Sequence, residues 1–246
     1  DLSKFEHLGM PTSQTSFFIK KYNEINKIPY YKKGIWWVQD FSAMLPIHLL
    51  KNLEKINAID MCAAPGGKTL QLLSKKANLD IYEKNKKRIP DLRKNLIRCG
   101  YDKKIYIDDI LDIKKKNYYD MAVLDAPCSA VGTLRRNPEI FFKKNFPDIN
   151  YLSKYQLQLL EKASDLICVN GIILYMVCSF FKKETTEIID YFLKKNKNFI
   201  LQKFTLTETN PLFLNKRGQI KIIPMVYKDD YYIDGFFASI LKKESE

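Results

Sequence analysis

From residue 56 onward, short apolar runs alternate with amphipathic stretches, and this rhythm limits the fold more than any other property of the chain. Apolar runs at 56–61, 79–82, 105–107, 121–124 and 172–177 have strand length, and 236–241 reads as a late strand behind the polar turn 229–235. Between them, 68–76, 86–98, 153–169 and 184–194 carry helical spacing. Ile89, Leu92, Leu96 and Ile97 are assigned to one face of the second helix, and Leu157, Leu160 and Leu166 to the core side of the third. A chain of strand–helix repeats buries its apolar faces by laying strands parallel and returning through helices on either side. The expectation is an α/β fold with a doubly wound, mostly parallel sheet. Residues 1–50 break the rhythm, mixing Phe17, Phe18, Tyr22, Tyr30, Tyr31, Trp36 and Trp37 with basic residues, Pro and Gly. They read as a small N-terminal lobe or remnant beside a main domain at 51–246.

The first crossover contains DMCAAPGGKT, residues 60–69. Its Gly-Gly-Lys-Thr looks like the tail of a phosphate-binding loop, but that loop requires G-x-x-x-x-G-K-[ST]. Five residues before Gly67 stands Cys62, and five before Gly66 stands Met61, so the first glycine is missing. Cys62, Ala63 and Ala64 are small, Pro65, Gly66 and Gly67 form a turn, and a helix opens near Lys68. Such a segment lets backbone approach a ligand at the carboxyl end of a strand, where open helix N–H groups take a carboxylate as readily as a phosphate. Past the second strand, Glu83 stands where an acid commonly accepts hydrogen bonds from a ribose. The competing account makes it a surface acid in the charged run 83–88. An adenosine that carries an amino acid, S-adenosylmethionine, meets both features.

The five cysteines, at 62, 99, 128, 168 and 178, are odd in number and contain no C-x-x-C pair. Neither a disulfide framework nor a metal site is expected, and a reducing compartment fits. Histidine is confined to His7 and His48, leaving little material for Ser-His or Cys-His catalysis. Burial explains most single cysteines, and Cys62, Cys99 and Cys168 are open to that account. Cys128 and Cys178 differ, because each follows an apolar strand and adjacent parallel strands deliver both to the crevice of the 62–68 loop. Asp125 precedes the first of them. Arg135, Arg136, Lys182 and Lys183 are the candidate cations for lowering a thiol pKa.

Lys and Arg total 41 against 28 acids, a net charge of +13. The excess favours a polyanionic partner, RNA or DNA, through counterion release. A compositional account also exists, since many lysines sit beside asparagines, as at 194–198. No apolar run approaches membrane-spanning length, so no membrane partner is expected. The chain opens at Asp1 rather than Met, as a trimmed piece would, and a targeting segment could have preceded it.

The segments VQDFSA (38–43), DMCAAPGGKT (60–69), EKNKKR (83–88), NLIRCG (95–100), DAPCSAVGTLRRNPEI (125–140), the helix around Gln156, YMVCS (175–179) and DGFFASILKK (234–243) span nearly the whole chain. In content and order they resemble the Nop/Sun-type RNA (cytosine-5)-methyltransferases, which include the RsmB-like enzymes of 16S ribosomal RNA. The resemblance implies the Rossmann-like fold of class I S-adenosylmethionine-dependent methyltransferases. It also implies methyl transfer to C5 of a cytosine in ribosomal or transfer RNA by a monomer, with residues 1–50 contacting RNA.

C5 of cytosine is a poor nucleophile until a thiolate adds at C6. On the resemblance that nucleophile is Cys178, with Cys128 assisting release and Asp125 on the N3/N4 edge of the base. The cofactor is implied to lie against Cys62, Ala63, Ala64, Pro65, Gly66, Gly67 and Lys68, its ribose at Glu83, its adenine side at Asp109, and its methionine portion near Asp125. The resemblance implies Asp109 over Asp108, because it falls nine residues after Gly100, the family-like offset. The chain departs from the family pattern at Met176-Val177, Thr185 and Asn170-Gly171, and of these Val177 and Thr185 put hydrogen bonding around Cys178 in question. Two other readings stand beside this one: a DNA cytosine C5-methyltransferase, in which the Pro-Cys thiol attacks, and a catalytically idle ribosome-assembly factor that binds RNA.

Overall fold

The structure, a computed structural model, describes residues 8–13, 15–19, 24–142, 146–205, 211–227 and 231–245. Its strands are β1 (Gly9–Ser13), β2 (Ser16–Ile19), β3 (Asn57–Asp60), β4 (Asn78–Tyr82), β5 (Ile105–Tyr106), β6 (Tyr119–Asp125), β7 (Ile167–Val177), β8 (Phe199–Gln202), β9 (Ile220–Ile222), β10 (Met225–Tyr227), β11 (Tyr231–Ile233) and β12 (Phe236–Lys243). The helices are α1 (Phe41–His48), α2 (Gly67–Ser74), α3 (Ile89–Arg98), α4 (Ile149–Leu166) and α5 (Thr186–Lys195). Tyr22 and part of the 229–235 turn lie outside the described residues.

The central sheet runs in the order β5-β4-β3-β6-β7-β12-β8, with β9 also pairing β12. Strands β5, β4, β3, β6 and β7 are parallel, and β12 returns antiparallel between β7 and β8. The strand order reverses beside β3, the place where open α/β sheets form a crevice at the carboxyl ends of their strands.

Both faces of the sheet are covered, which explains why the strands read as continuous apolar runs. On β7, Ile173, Tyr175 and Val177 enter the core formed with α4 and α5, among Leu159, Leu160, Ile189 and Phe192. Leu174 and Met176 point the other way, into the core that holds Phe41, Leu45 and Ile47 of α1. A third cluster joins α2 to α3 through Leu70, Leu73, Leu92 and Leu96. Each fully buried Leu or Ile stabilises the fold by about 1.5–3 kcal/mol relative to exposure.

Several element boundaries differ from the sequence expectation. Helix α4 starts earlier, because Asp148 caps it by accepting from the N–H groups of Asn150 and Tyr151. It stops at Leu166, short of 169, because Ile167 already pairs with Tyr119 and begins β7. A register shift follows between Tyr119 and Met121, and Asn170 has a left-handed φ of 67°. Ile97 is 59% exposed, since it lies one helical step past the Leu92–Leu96 stripe. The short strands β8 to β11 were not anticipated; β9, β10 and β11 have 3 residues each, too few for alternation to register.

Ahead of the main domain, Asp40 caps α1 by accepting from the Ser42 N–H and hydroxyl. The Arg98 guanidinium of α3 lies 4.0 Å from the Tyr31 ring centroid and donates to the carbonyls of Tyr31 and Trp36. Among the described residues no helix is long and apolar enough to cross a membrane.

One backbone crossing closes the site region. Gly132 N–H donates to the Cys178 carbonyl at 3.0 Å, and Gly235 N–H donates to the Gly132 carbonyl at 2.8 Å. A Cβ on Gly132 would lie 2.0 Å from the Gly235 carbonyl oxygen. Gly132→Ala is therefore expected to cost about 3 kcal/mol or more, a fall in Tm of roughly 6–12 °C. A melting curve within a degree or two of the parent chain would show that the crossing yields freely.

Candidate active site

Strand β3 ends at Asp60, which is wholly buried. The Thr69 hydroxyl donates to its Oδ2 at 2.7 Å, tying the strand end to the first turn of α2. Its Oδ1 is buried without a well-formed hydrogen bond, although the Cys62 N–H eases the charge. Burial pushes the Asp60 carboxyl up to about 7. The turn that follows contains Cys62, Ala63, Ala64, Pro65 and Gly66, with a cis bond between Ala64 and Pro65. Gly66 takes φ 110°, open to glycine, and leads into Gly67 and Lys68 at the start of α2.

Glu83 follows β4 and is buried, which removes the account of it as a surface acid. Its Oε2 accepts the Ala64 N–H at 3.1 Å and its Oε1 accepts the Asn85 N–H at 2.8 Å. Arg88 reaches over the same turn to the Ala64 carbonyl and lies 3.8 Å from the Glu83 carboxylate. Asp109 caps a short 3-10 turn, accepting from the Leu111 N–H, and pairs with Lys84 at 3.2 Å. Glu83 thus borders the 62–68 turn directly, while Asp109 connects to it through Lys84, next to Glu83 in the chain.

The end of β6 places Asp125 against α2: Lys68 Nζ lies 2.7 Å from its Oδ2. Lys68 also sits 5.2 Å from the Phe236 ring centroid. Beyond Pro127, Cys128 Sγ lies 3.4 Å from Cys178 Sγ, so the turns after β6 and β7 bring both thiols to one point. All five cysteines are free and half-buried. The hydrogen bond from Cys128 draws the Cys178 thiol below the usual cysteine value, with Lys68 helping and burial and Asp125 opposing. The same donated bond, with burial, holds Cys128 well above it. The pair is polarised: one sulfur is prepared to carry charge and the other to keep its proton.

The cations expected around these thiols are largely committed elsewhere. Arg135 lies 3.0 Å from the buried Asp234 and 3.5 Å from Asp40, and Arg136 holds Asp234 at 2.6 Å. These bridges lock the segment after Cys128 to the β11–β12 turn and to the cap of α1. Lys183 donates to the Asn150 side chain. Of the expected cations Arg136 still interacts electrostatically with Cys178, and Lys68 of the glycine turn, which was not among them, also draws its pKa down.

Sequence reasoning did not single out Asp60 or the carboxylate of Glu184. Each had a signal: an acid closing an apolar strand, and an acid spaced from Cys178 so that its chain folds back. Glu184 accepts from the hydroxyls of Ser129 and Ser179, so Thr185, which instead caps back onto the Phe181 carbonyl at 2.8 Å, is not needed there. Val177 is apolar and packs in the α4/α5 core.

The sequence profile of the family described as 16S rRNA methyltransferase RsmB/F matches residues 47–242. The chain belongs to this family. Among its relatives, the ribosomal RNA small subunit methyltransferase B of Photorhabdus laumondii is 32% identical over 95% of this chain and 53% of its own length. The 25S rRNA (cytosine-C(5))-methyltransferase nop2 of Schizosaccharomyces pombe is 31% identical over 90% of this chain and 39% of its own. This RsmB/F chain therefore spans about half the length, or less, of the curated relatives it matches. The crystal structure of PH0851 superposes with a TM-score of 0.83 at 26% identity, covering 98% of this chain and 56% of that one. The sheet of the RsmB/F chain is the Rossmann-like sheet of class I methyltransferases.

Two measurements probe these electrostatics. Lys68→Met removes a cation from Cys178 and leaves Asp125 unpaired, so the pH midpoint for alkylation of Cys178 should rise. At neutral pH the rate should fall roughly threefold to tenfold, since one pKa unit is tenfold in thiolate; an unchanged profile would remove Lys68 from the account. Asp60 binds its proton more tightly folded than unfolded, so it favours the fold at low pH and that contribution is lost as pH rises from ~3.9 toward about 7. Asp60→Asn should flatten the Tm-against-pH curve over that window.

Proposed function

We propose that this chain transfers a methyl group from S-adenosylmethionine to C5 of a cytosine in RNA, ribosomal RNA before transfer RNA. The observation that carries the reading is the approach of Cys128 and Cys178 to 3.4 Å beside the Lys68–Asp125 ion pair. Membership of the 16S rRNA methyltransferase RsmB/F family and similarity to the Schizosaccharomyces pombe 25S rRNA (cytosine-C(5))-methyltransferase support methylation of ribosomal RNA in general.

The cofactor fits the residues present. N-cap Gly66 offers no side-chain cap, so no cap side chain claims the first N–H groups of α2, which suit a carboxylate. The unsatisfied Oδ1 of Asp60 suits a cationic ammonium nearby. Cys62, Ala63, Ala64, Pro65, Gly66, Gly67 and Lys68 would hold the amino-acid end, Glu83 the ribose and Asp109 the adenine side. When bound, S-adenosylmethionine supplies an electrophilic methyl group.

The chain's own groups account for the rest. The Cys178 thiolate adds to C6 of the base, the C5–C6 π pair shifts to C4–C5 and the C4–N3 π pair to N3, which takes a proton from solvent, leaving C5 enamine-like and nucleophilic. Asp125, partly open and neutralised by Lys68, accepts hydrogen bonds from the N3/N4 edge and favours the protonated adduct. After C5 gives its proton to solvent, elimination restores the C5–C6 double bond and expels Cys178, the N3 proton returns to solvent, and Cys128 is placed to hand a proton to the departing sulfur and be reprotonated from solvent. A base inside a helix cannot reach half-buried thiols, so the target is single-stranded or flipped. On the same reading, residues 1–50 form a lobe that contributes RNA contacts and the enzyme acts as a monomer.

Cys178→Ala is expected to abolish methyl transfer, while Cys128→Ala accumulates a covalent RNA adduct, seen as a retarded band on a denaturing gel. Adduct trapped by Cys178→Ala and lost in Cys128→Ala would reverse the two roles. Tritiated methyl transfer measured on RNA and DNA side by side should label RNA alone; label on DNA alone would overturn the substrate.

A further inference from the structure

A buried carboxylate behind the two thiols takes no part in the steps above. Glu184 is fully buried, and its Oε1 accepts from the Ser129 N–H at 2.8 Å and from Gln156 Nε2 at 3.1 Å. Its Oε2 accepts from the hydroxyls of Ser129 and Ser179 at 2.5 and 2.6 Å. Two donors on each oxygen fill the acceptor sites of a carboxylate, and among the described residues no Lys or Arg forms an ion pair with it. Ser129 directly follows Cys128, and Ser179 directly follows Cys178.

The anchor is itself fixed. Gln156 of α4 also donates to the Pro127 carbonyl at 2.9 Å, and the Tyr175 hydroxyl donates to the Glu184 carbonyl at 2.8 Å. One side chain therefore grips the residue after each thiol and rests on a helix and a central strand. A carboxylate this deep is held only by its donors, so loosening one of them releases a turn that carries a thiol.

We propose that Glu184 is a positioning residue that locks the Cys128 and Cys178 turns together and so sets the thiol–thiol geometry. The inference rests on the reading of these thiols as the reactive pair, but its test does not need methyl transfer. Site-resolved alkylation by iodoacetamide, read by mass spectrometry from neutral to alkaline pH, reports the two sulfurs directly. In the parent chain Cys178 should label ahead of Cys128.

Glu184→Gln keeps the shape but loses one acceptor oxygen, and should shrink that preference about threefold to tenfold. Turnover should fall while the KM for RNA changes by less than about twofold. Glu184→Asp, too short to reach both turns, should not restore either. Ser179→Ala frees only the Cys178 turn and should raise the pH midpoint of Cys178. Ser129→Ala should do less, because the Ser129 N–H remains. A lower Tm in Glu184→Gln with the parent labelling preference would make Glu184 structural only and overturn the proposal. Should Glu184→Gln fail to fold, parent-like labelling in both serine variants overturns it instead. Parent chain that labels as expected but methylates no RNA would overturn the proposed function and leave this inference standing.

Discussion

The pairing of β6 between β3 and β7 is the constraint on which the site depends. Asp60 pairs with Val123 on one side, and Asp125 pairs with Met176 on the other. Because the strands are parallel and in this register, their carboxyl ends open at one level, and the turns after Asp60, Asp125 and Val177 face one another. A shift by a single residue would turn Asp125 to the opposite face of the sheet and move Leu124 from the α4/α5 core to the α1 side, exchanging the two faces of the strand. Backbone hydrogen bonds, made with no reference to chemistry, thus decide which side chains meet.

Around that crevice the fold buries several carboxylates and settles each differently. Asp60 takes a raised pKa and a single hydroxyl donor. Glu83 accepts two backbone N–H groups and braces the turn beside it. Asp234 is held by two guanidinium groups, and Glu184 by four neutral donors. The ionic solution is used where segments distant in sequence must be joined, and the neutral one where the donors come from the turns being positioned. Lys68 and Asp125 oppose each other at the Cys178 sulfur, and Arg136, though paired with Asp234, also interacts with it.

Much of this was legible in the sequence because it is periodic or local. Strands β3, β4, β6 and β7 are built on short, mostly apolar runs, and the small residues from Cys62 to Gly67 announce the turn that opens α2. That both thiols follow adjacent strands was enough to place them together. The charge partners were not legible: Arg135 and Arg136 are near Cys128 in the chain, yet their partners are Asp234 and Asp40, reached only through the C-terminal strand and α1. Glu184 was visible as a residue but not as a hub, since its four bonds come from three elements. The short strands near the C-terminus were missed because 3 residues leave no period to detect, and their pairing is set by β12 or by one another.

The place of β12 has a consequence for synthesis. Its hydrogen bonds fill the edge of β7, and β8, made earlier, has β12 as its partner in the central sheet. A ribosome delivers β7 and β8 before the strand that joins them, so both wait with unpaired edges while the intervening chain emerges. Gly235 and Asp234, which hold the loop after Cys128, arrive in that same late segment. A partly synthesised chain thus exposes sheet edges to edge-to-edge association, and the loop after Cys128 stays unanchored until β12 pairs.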